Sequence, residues 1–266
     1  MISVVILTYN EEINLEDCLA TVCWSDDIIV FDSYSTDKTA DIAQKKGVRL
    51  VQRQFDNYAS QRNAALNEVK FKYDWVLMLD ADERVPKLLH EEMKIELNNL
   101  KKDITLYRMR RMDFLNDKWL RRSSGYPTWF GRLIKVGYVT VKREINEEYH
   151  TTGKIGFLKE HLLHYPFNKG LEHWFEKHNK YSSMEAITLN AREYINFSSL
   201  FSSDPIERRR VLKQIFYHLP CRPILVFLYL YLFRFGFLDG YPGLIYCQLR
   251  AIYESMIKLK IKELKV

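Results

Sequence analysis

No G-x-G-x-x-G follows a strand-like run in this chain, and no G-x-x-x-x-G-K-[ST] occurs. Both fingerprints press glycine backbone amides against a diphosphate, so their absence excludes a dinucleotide fingerprint and a P-loop as the phosphate grip. His161 and His164 stand three apart without an H-E-x-x-H pattern, which argues against a zinc site. Cysteine is sparse: Cys18, Cys23, Cys221 and Cys247 show no C-x-x-C spacing and are too few for a disulfide framework, so reduced thiols without assigned chemistry are expected. No basic n-region or small-residue cleavage site surrounds Ile2-Ser3-Val4-Val5-Ile6-Leu7, and a cytoplasmic protein is expected. The apolar run at 224–238 falls short of the ~20 residues a membrane span takes, and Arg234 interrupts it.

What is present is a globular composition, 47% hydrophobic and 28% charged over 266 residues, enough for one sizeable domain or a domain with an appendage. The net charge of +6 is local. From Pro205 onward 11 Lys and Arg face 4 Asp and Glu, whereas the residues before it carry 29 and 30. Arg208 to Arg210, Lys258, Lys260, Lys262 and Lys265 lie among aliphatic and aromatic residues such as Leu249, Ile252, Tyr253 and Met256. That company favours anionic lipid over nucleic acid, for which no reading motif is present. A basic amphipathic module lying in a membrane interface and a helix pair buried against the rest of the chain or a partner both remain open.

Residues 4–7 read as a buried strand, and Leu15, Cys18, Leu19 and Val22 then recur at helical spacing. Residues 28–31 make a second strand, followed by a cap-rich loop and a helix that Gly47 stops. A third strand at 48–51, a helix at 58–69 and a strand at 75–79 complete the alternation that a doubly wound parallel sheet requires. From 105 to 160 short aromatic-rich extended pieces suggest a smaller mixed sheet, and beyond Leu171 the chain reads mainly helical.

Ligands of an open parallel sheet collect beyond the carboxyl ends of its strands, and those ends here carry Thr8-Tyr9-Asn10-Glu11, Asp32-Ser33 and Asp80-Ala81-Asp82. In an extended chain the Asp80 and Asp82 side chains face the same way with Cα atoms roughly 6.5 Å apart, suited to holding one divalent cation between carboxylates and a diphosphate. Structural roles compete at each position. Asp80 and Asp82 can be solvated strand-end carboxylates, Arg62 can pair with Glu68 or Asp56, Asp32 can cap the helix after it, and Thr8 and Asn10 can cap the first helix.

Val5-Ile6-Leu7-Thr8-Tyr9-Asn10-Glu11, Asp32-Ser33-x-Ser35-x-Asp37-x-Thr39, Gln61-Arg62-Asn63 and Asp80-Ala81-Asp82-Glu83 together resemble family 2 glycosyltransferases of the GT-A fold. Asn146-Glu147, Leu163-His164-Tyr165, Lys177-x-x-x-Tyr181 and Gly236-Phe237-Leu238-Asp239-Gly240 extend the resemblance to the bacterial branch containing lipopolysaccharide-core β-glucosyltransferases. The resemblance implies an α/β GT-A fold, Rossmann-like with a mostly parallel sheet, over residues 1–204, with a donor half at 1–103 and an acceptor half at 104–204. A basic amphipathic helical tail at 205–266 would follow.

It further implies an inverting enzyme that moves a sugar from a nucleoside diphosphate, UDP first among candidates, to a lipopolysaccharide-core, lipooligosaccharide or capsule-type acceptor. Thr8, Tyr9, Asn10, Glu11 and Ala81 would then line the nucleotide, Asp32 would meet the base, and Arg62 the base or phosphates. Asp80 would contact ribose or metal, and Asp82 would be the main ligand of Mg²⁺ or Mn²⁺, with His164 as a further ligand. Glu147 is expected to be the base on the acceptor hydroxyl, although Asn146 replaces the family's usual His and leaves Glu144 and Glu148 in contention. The tail would hold the enzyme at the inner face of the plasma membrane. The alternatives are a polyprenyl-phosphate glycosyltransferase, which needs no base, and a catalytically silent membrane-associated scaffold.

Overall fold

The computed structural model describes residues 1–99, 103–142, 148–190, 219 and 221–264. The first part alternates as β1 (Ser3–Thr8), α1 (Leu15–Val22), β2 (Ile28–Asp32), α2 (Thr39–Lys45), β3 (Arg49–Gln52), α3 (Tyr58–Glu68) and β4 (Trp75–Asp80). Then follow β5 (Glu83–Arg84), α4 (Lys87–Asn98), β6 (Ile104–Leu115), β7 (Lys118–Trp119), β8 (Trp129–Lys135), β9 (Val139–Lys142), β10 (Glu148–Thr151) and β11 (Lys154–His164). The helices α5 (Gly170–Asn190), α6 (Arg222–Leu228) and α7 (Gly240–Glu263) complete the described elements.

The principal sheet runs β3-β2-β1-β4-β8-β6-β11-β5. Its first four strands are parallel, β8 is antiparallel to both β4 and β6, and β11 runs parallel to β6. Strands covered on both faces read as continuous apolar runs, and β1 shows why. Val4 and Ile6 pack with Leu15, Leu19 and Val22 of α1 on one face, while Val5 packs with Ala64, Ala65 and Leu66 of α3 on the other. Each such fully buried aliphatic side chain contributes about 1.5–3 kcal/mol, which makes the β1–β4 centre the rigid base beneath the polar strand ends. Gly47, at φ 67°, ends α2 as expected, its amide donating to the Gln44 carbonyl.

Contacts divide the chain into one unit of Met1–Phe114 with Tyr126–Asn168 and a second of Leu115–Gly125 with Lys169–Val266. The break at Asn168 falls earlier than the sequence boundary at 204/205, because α5 packs along α7 and so joins the second unit. Lys260 of α7 donates to Asn179 Oδ1 at 2.6 Å and to the Ser182 and Ser183 hydroxyls at 2.9 and 2.8 Å, stitching the two helices together. A buried Arg222–Glu254 ion pair ties α6 to α7. Asp239 accepts from Ser123 N and Oγ, both at 2.8 Å, and Gly240 takes φ 71°, so the 236–240 motif serves a tight turn. At Gly236 a Cβ would meet the Leu230 carbonyl oxygen at 2.6 Å.

Among the described residues no single helix is long and apolar enough to cross a membrane; Arg222–Phe233 and Gly236–Glu263 together meet length and composition but bend by 71°.

His178 of α5 stacks on Trp174 at 3.7 Å and faces Tyr253 edge-on. Burial pushes its pKa down to about 4; a hydrogen bond to the Trp174 carbonyl opposes this, while Lys177 and Arg250 reinforce it. The folded value lies below the unfolded ~6.5, so the neutral ring stabilises the fold fully above that pH and the contribution fades as pH falls towards 4. Acidification from pH 7 to 4.5 is expected to cost about 1–2 kcal/mol through this ring once solvent screening of its exposed part is allowed for. Melting curves of wild type and His178→Gln across that range check it: parallel pH slopes would clear His178 of the effect.

Candidate functional site

The loops after β1 and β2 are laced together. Asp32, fully buried, accepts Thr8 Oγ1 at 2.9 Å and Ser35 Oγ on Oδ1, and Ser35 N at 2.9 Å and Gln52 Nε2 at 3.1 Å on Oδ2. Four donors saturate a carboxylate, so a base reaching Asp32 displaces one of them. Asn10, in the left-handed region at φ 54°, donates its amide to Ser35 Oγ and accepts Thr36 N on its side chain, both at 2.8 Å. Neither Thr8 nor Asn10 caps α1; they clamp the β2 loop. Glu11 N donates to Thr39 Oγ1 at 2.8 Å, and Glu11 Oε2 accepts Asn14 Nδ2 at 2.9 Å. Tyr9, 57% exposed, on the loop after β1, and Tyr34, 52% exposed, on the loop after β2, are the large aromatic side chains these loops expose.

At the end of β4 the strand closes at Asp80, and Ala81 and Asp82 form a turn, so the two carboxylates take different partners. Asp80 Oδ1 accepts Arg62 Nη2 and Oδ2 accepts Arg132 Nη2, both at 2.7 Å. Burial alone would raise the Asp80 pKa, but Arg132 and Arg62 outweigh it and hold the carboxyl well below the usual range. Arg62 therefore pairs with neither Glu68 nor Asp56; Asp56 is taken by Arg53 at 2.9 Å. A cation or ribose seeking Asp80 competes with two short charge-assisted bonds. Ala81 is buried at 2% exposure, and its carbonyl accepts Arg84 Nη1 at 2.7 Å.

Asp82 Oδ2 lies 3.3 Å from His164 Nε2, and its carbonyl accepts Tyr165 N at 2.9 Å. His164 Nδ1 lies 2.7 Å from Asp113 Oδ1, which also receives Arg111 Nε at 3.0 Å. Burial and the Arg111 charge pull the His164 pKa down, but Asp82 and Asp113 outweigh them and raise it. His161, three residues earlier, instead meets the Tyr126 hydroxyl at 2.8 Å.

Glu83 closes the circuit. It is fully buried, accepts Asp80 N at 3.0 Å and Arg132 Nη2 at 2.9 Å, and lies 3.7 Å from Arg111 Nη1. Arg62, Asp80, Arg132, Glu83, Arg111 and Asp113 thus follow one another as a ladder of alternating sign, and His164 joins Asp113 to Asp82. Each charge is compensated by its neighbours, which is the condition for burying so many. Sequence reasoning singled out the two ends, named Glu83 only as part of its motif, and missed Arg132, Arg111 and Asp113. The one signal for Arg132 is a charge set in the apolar strand run Phe130-Gly131-Arg132-Leu133-Ile134.

Glu147 and Glu144 lie outside the described residues. Glu148 opens β10, is half exposed and stands 3.7 Å from His150 Nε2. Lys177 lies 5.7 Å from the Tyr181 ring centroid on α5. Among the described residues no three His, Cys, Asp or Glu side chains form a group able to hold a metal ion. Asp82 and His164 can nevertheless offer a divalent cation a carboxylate oxygen and, with Nε2 unprotonated, an imidazole nitrogen, its other ligands coming from water and a ligand's phosphates.

The family described as Glycosyl transferase family 2 matches residues 3–165. A Rickettsia bellii protein named "Uncharacterized glycosyltransferase" is 30% identical over 203 residues, 70% of this chain and 66% of its own length. The lipopolysaccharide core biosynthesis glycosyltransferase LpsC of Rhizobium meliloti is 28% identical over 270 residues, 98% of this chain and 91% of its own. The Mycobacterium tuberculosis glucosyl-3-phosphoglycerate synthase, solved with Mn²⁺, UDP and glucosyl-3-phosphoglycerate, aligns over 42% of this chain and 44% of that one. That alignment has 24% identity and a TM-score of 0.36. With more than half of its residues matched, and with a mostly parallel sheet ending in these polar loops, the chain belongs to glycosyl transferase family 2 and has its GT-A fold.

Proposed function

We propose that this protein is an inverting glycosyltransferase that moves a sugar from a nucleoside diphosphate, UDP first among candidates, to a bacterial surface glycan or its lipid-linked precursor. The acceptor class, of lipopolysaccharide-core, lipooligosaccharide or capsule type, draws support from the similarity to LpsC along nearly the whole chain. The observation that carries the reading is the division of labour at the end of β4: two arginines neutralise Asp80, while Asp82 stands beside His164.

In this reading Thr8, Tyr9, Asn10, Glu11, Asp32, Arg62, Asp80 and Ala81 surround the nucleotide, with Tyr9 exposed for stacking. Asp82 and His164 would hold Mg²⁺ or Mn²⁺. The cation would supply Lewis-acid stabilisation of the charge that builds on the departing diphosphate. Glu147, with Glu144 and Glu148 as neighbours, accepts the proton of the attacking acceptor hydroxyl. Ile224, Leu228, Tyr229, Leu232, Phe233 and Phe235 are all exposed in the second unit, and this apolar stretch would seat the enzyme peripherally at the inner leaflet.

Melting temperatures with UDP, GDP, CDP and dTDP, each with and without Mn²⁺, test the reading. A ligand at a hundred times its Kd adds about 2.7 kcal/mol of stability, or roughly 5–10 °C. One nucleotide is expected to give that shift and to need Mn²⁺. No shift with any of the four, from folded protein, would overturn the donor site and favour a silent scaffold. Full turnover by Glu147→Gln would favour a polyprenyl-phosphate acceptor, which arrives already ionised.

A further inference from the structure

The second unit presents an apolar elbow and a basic loop side by side. Leu232, Phe233, Phe235, Phe237, Leu238 and Tyr241 lie about the 71° bend between 222–233 and α7, and all six are exposed, Phe233 at 73% and Tyr241 at 70%. The inside of the bend is packed backbone. Gly236 and Gly243 are buried, and a Cβ on Gly243 would collide with the Gly236 carbonyl oxygen, so the bulky side chains turn outward. A contiguous exposed apolar patch of this kind marks an interaction site.

The loop 115–125 is fastened to that bend. Asp239 Oδ2 accepts Arg122 N at 2.9 Å and Ser123 N and Oγ at 2.8 Å, and Leu120 and Ser123 are fully buried. With these as anchors, Lys118, Arg121 and Arg122 are left exposed, and the Arg121 guanidinium rests 5.4 Å from the Trp119 ring centroid. Asp239 is the one acidic residue between positions 208 and 253, and it is buried beneath those three donors. The elbow therefore faces outward without a negative side chain, and Asp117 is the one acid of the loop beside it.

We propose that Lys118, Arg121 and Arg122, held against the elbow by Asp239, read headgroup charge and dock the second unit on an anionic phospholipid surface. The proposal rests on the peripheral seat described above and deepens it, adding a lipid class and a loop more than a hundred residues away from the apolar stretch. Aromatic and aliphatic side chains suit the boundary between headgroups and acyl chains, and cations at their edge meet lipid phosphates. Arg234, between Phe233 and Phe235, keeps the insertion shallow: a charge at the bilayer centre is costly, whereas a long side chain near the surface reaches back to the headgroups.

Flotation of the full chain with vesicles tests this, using phosphatidylcholine alone and phosphatidylcholine mixed with phosphatidylglycerol. The first comparison needs no variant. Each base near an anionic surface strengthens binding roughly fivefold, so the wild type is expected to hold the mixed vesicles about 100-fold more tightly than the neutral ones. Lys118→Gln/Arg121→Gln/Arg122→Gln, three exposed positions, is expected to lose most of that preference while binding neutral vesicles as the wild type does. Phe233→Ser/Leu238→Ser is expected to weaken binding to both kinds. A triple variant that kept the full preference, or a wild type that bound both vesicles equally, would overturn the role of the loop and leave the apolar seat standing. No binding to either vesicle would take down the seat as well, and a dimer that Phe233→Ser/Leu238→Ser dissociates would then give the elbow to a second copy of this chain.

Discussion

Asp82→Asn is expected to lower kcat by about a thousandfold while moving the melting temperature by no more than about 2 °C. The argument for the large effect is electrostatic. In the proposed reaction the leaving diphosphate gains charge as the glycosidic bond breaks, and a cation stabilises that charge by several kcal/mol, each 1.36 kcal/mol being tenfold in rate. Asp80 is held by Arg62 and Arg132 at 2.7 Å each, whereas Asp82 stands 3.3 Å from His164, and the proposed reaction gives the cation to Asp82. The argument for the small stability effect is geometric. Asp82 contacts His164 at 3.3 Å, and an amide keeps an oxygen facing the ring. Release of nucleoside diphosphate from a nucleotide-sugar, with and without Mn²⁺, measures the first; a melting curve measures the second. A variant that turned over at a tenth of the wild-type rate or faster would remove Asp82 from the chemistry.

Arg132→Met is expected to do the opposite, costing about 3–5 kcal/mol of stability, roughly 8–15 °C in melting temperature. Arg132 is 3% exposed and serves Asp80 at 2.7 Å and Glu83 at 2.9 Å, with the Tyr149 hydroxyl at 3.2 Å. Removing it leaves two carboxylates near one another, with Glu83 fully buried. A buried charge stripped of its partner destabilises far more than the intact pair stabilises. Arg132→Lys is expected to recover less than half of the loss, because an ammonium is a point charge and cannot span both carboxylates as the planar fork does. Asp80→Asn added to Arg132→Met should recover part of it by removing one of the two carboxylates left facing each other, Asp80 keeping only Arg62. Urea unfolding of the single and double variants separates the terms; additive losses in the double variant would mean that Arg132 and Asp80 are not energetically coupled.

The β1, β2 and β4 strands, the helices between them and the polar strand ends were legible in the chain itself. Apolar runs of four to six residues with turn chemistry at their ends admit few other structures once both faces are covered, and Gly47 marks a helix end by needing a positive φ. The motif order pointed to the family as well, and the matched residues 3–165 bear that out. Reading Asp80 and Asp82 as one extended pair rested on period-two geometry. That geometry stops where β4 ends, and the turn at Ala81 and Asp82 gives the two carboxylates different neighbours.

By itself, then, the sequence determined where the strands end and which polar groups gather there, because hydrophobic periodicity and turn residues are local properties. Only the tertiary structure decided which of those groups are paired with a charge from a distant strand. Arg132 reaches Asp80 from 52 residues away and His164 reaches Asp113 from 51. Those meetings follow from β8 lying antiparallel between β4 and β6, and from the register that sets β11 against β6. Charge compensation in a buried site depends on distances of a few ångströms across strands, and no spacing along the chain encodes them.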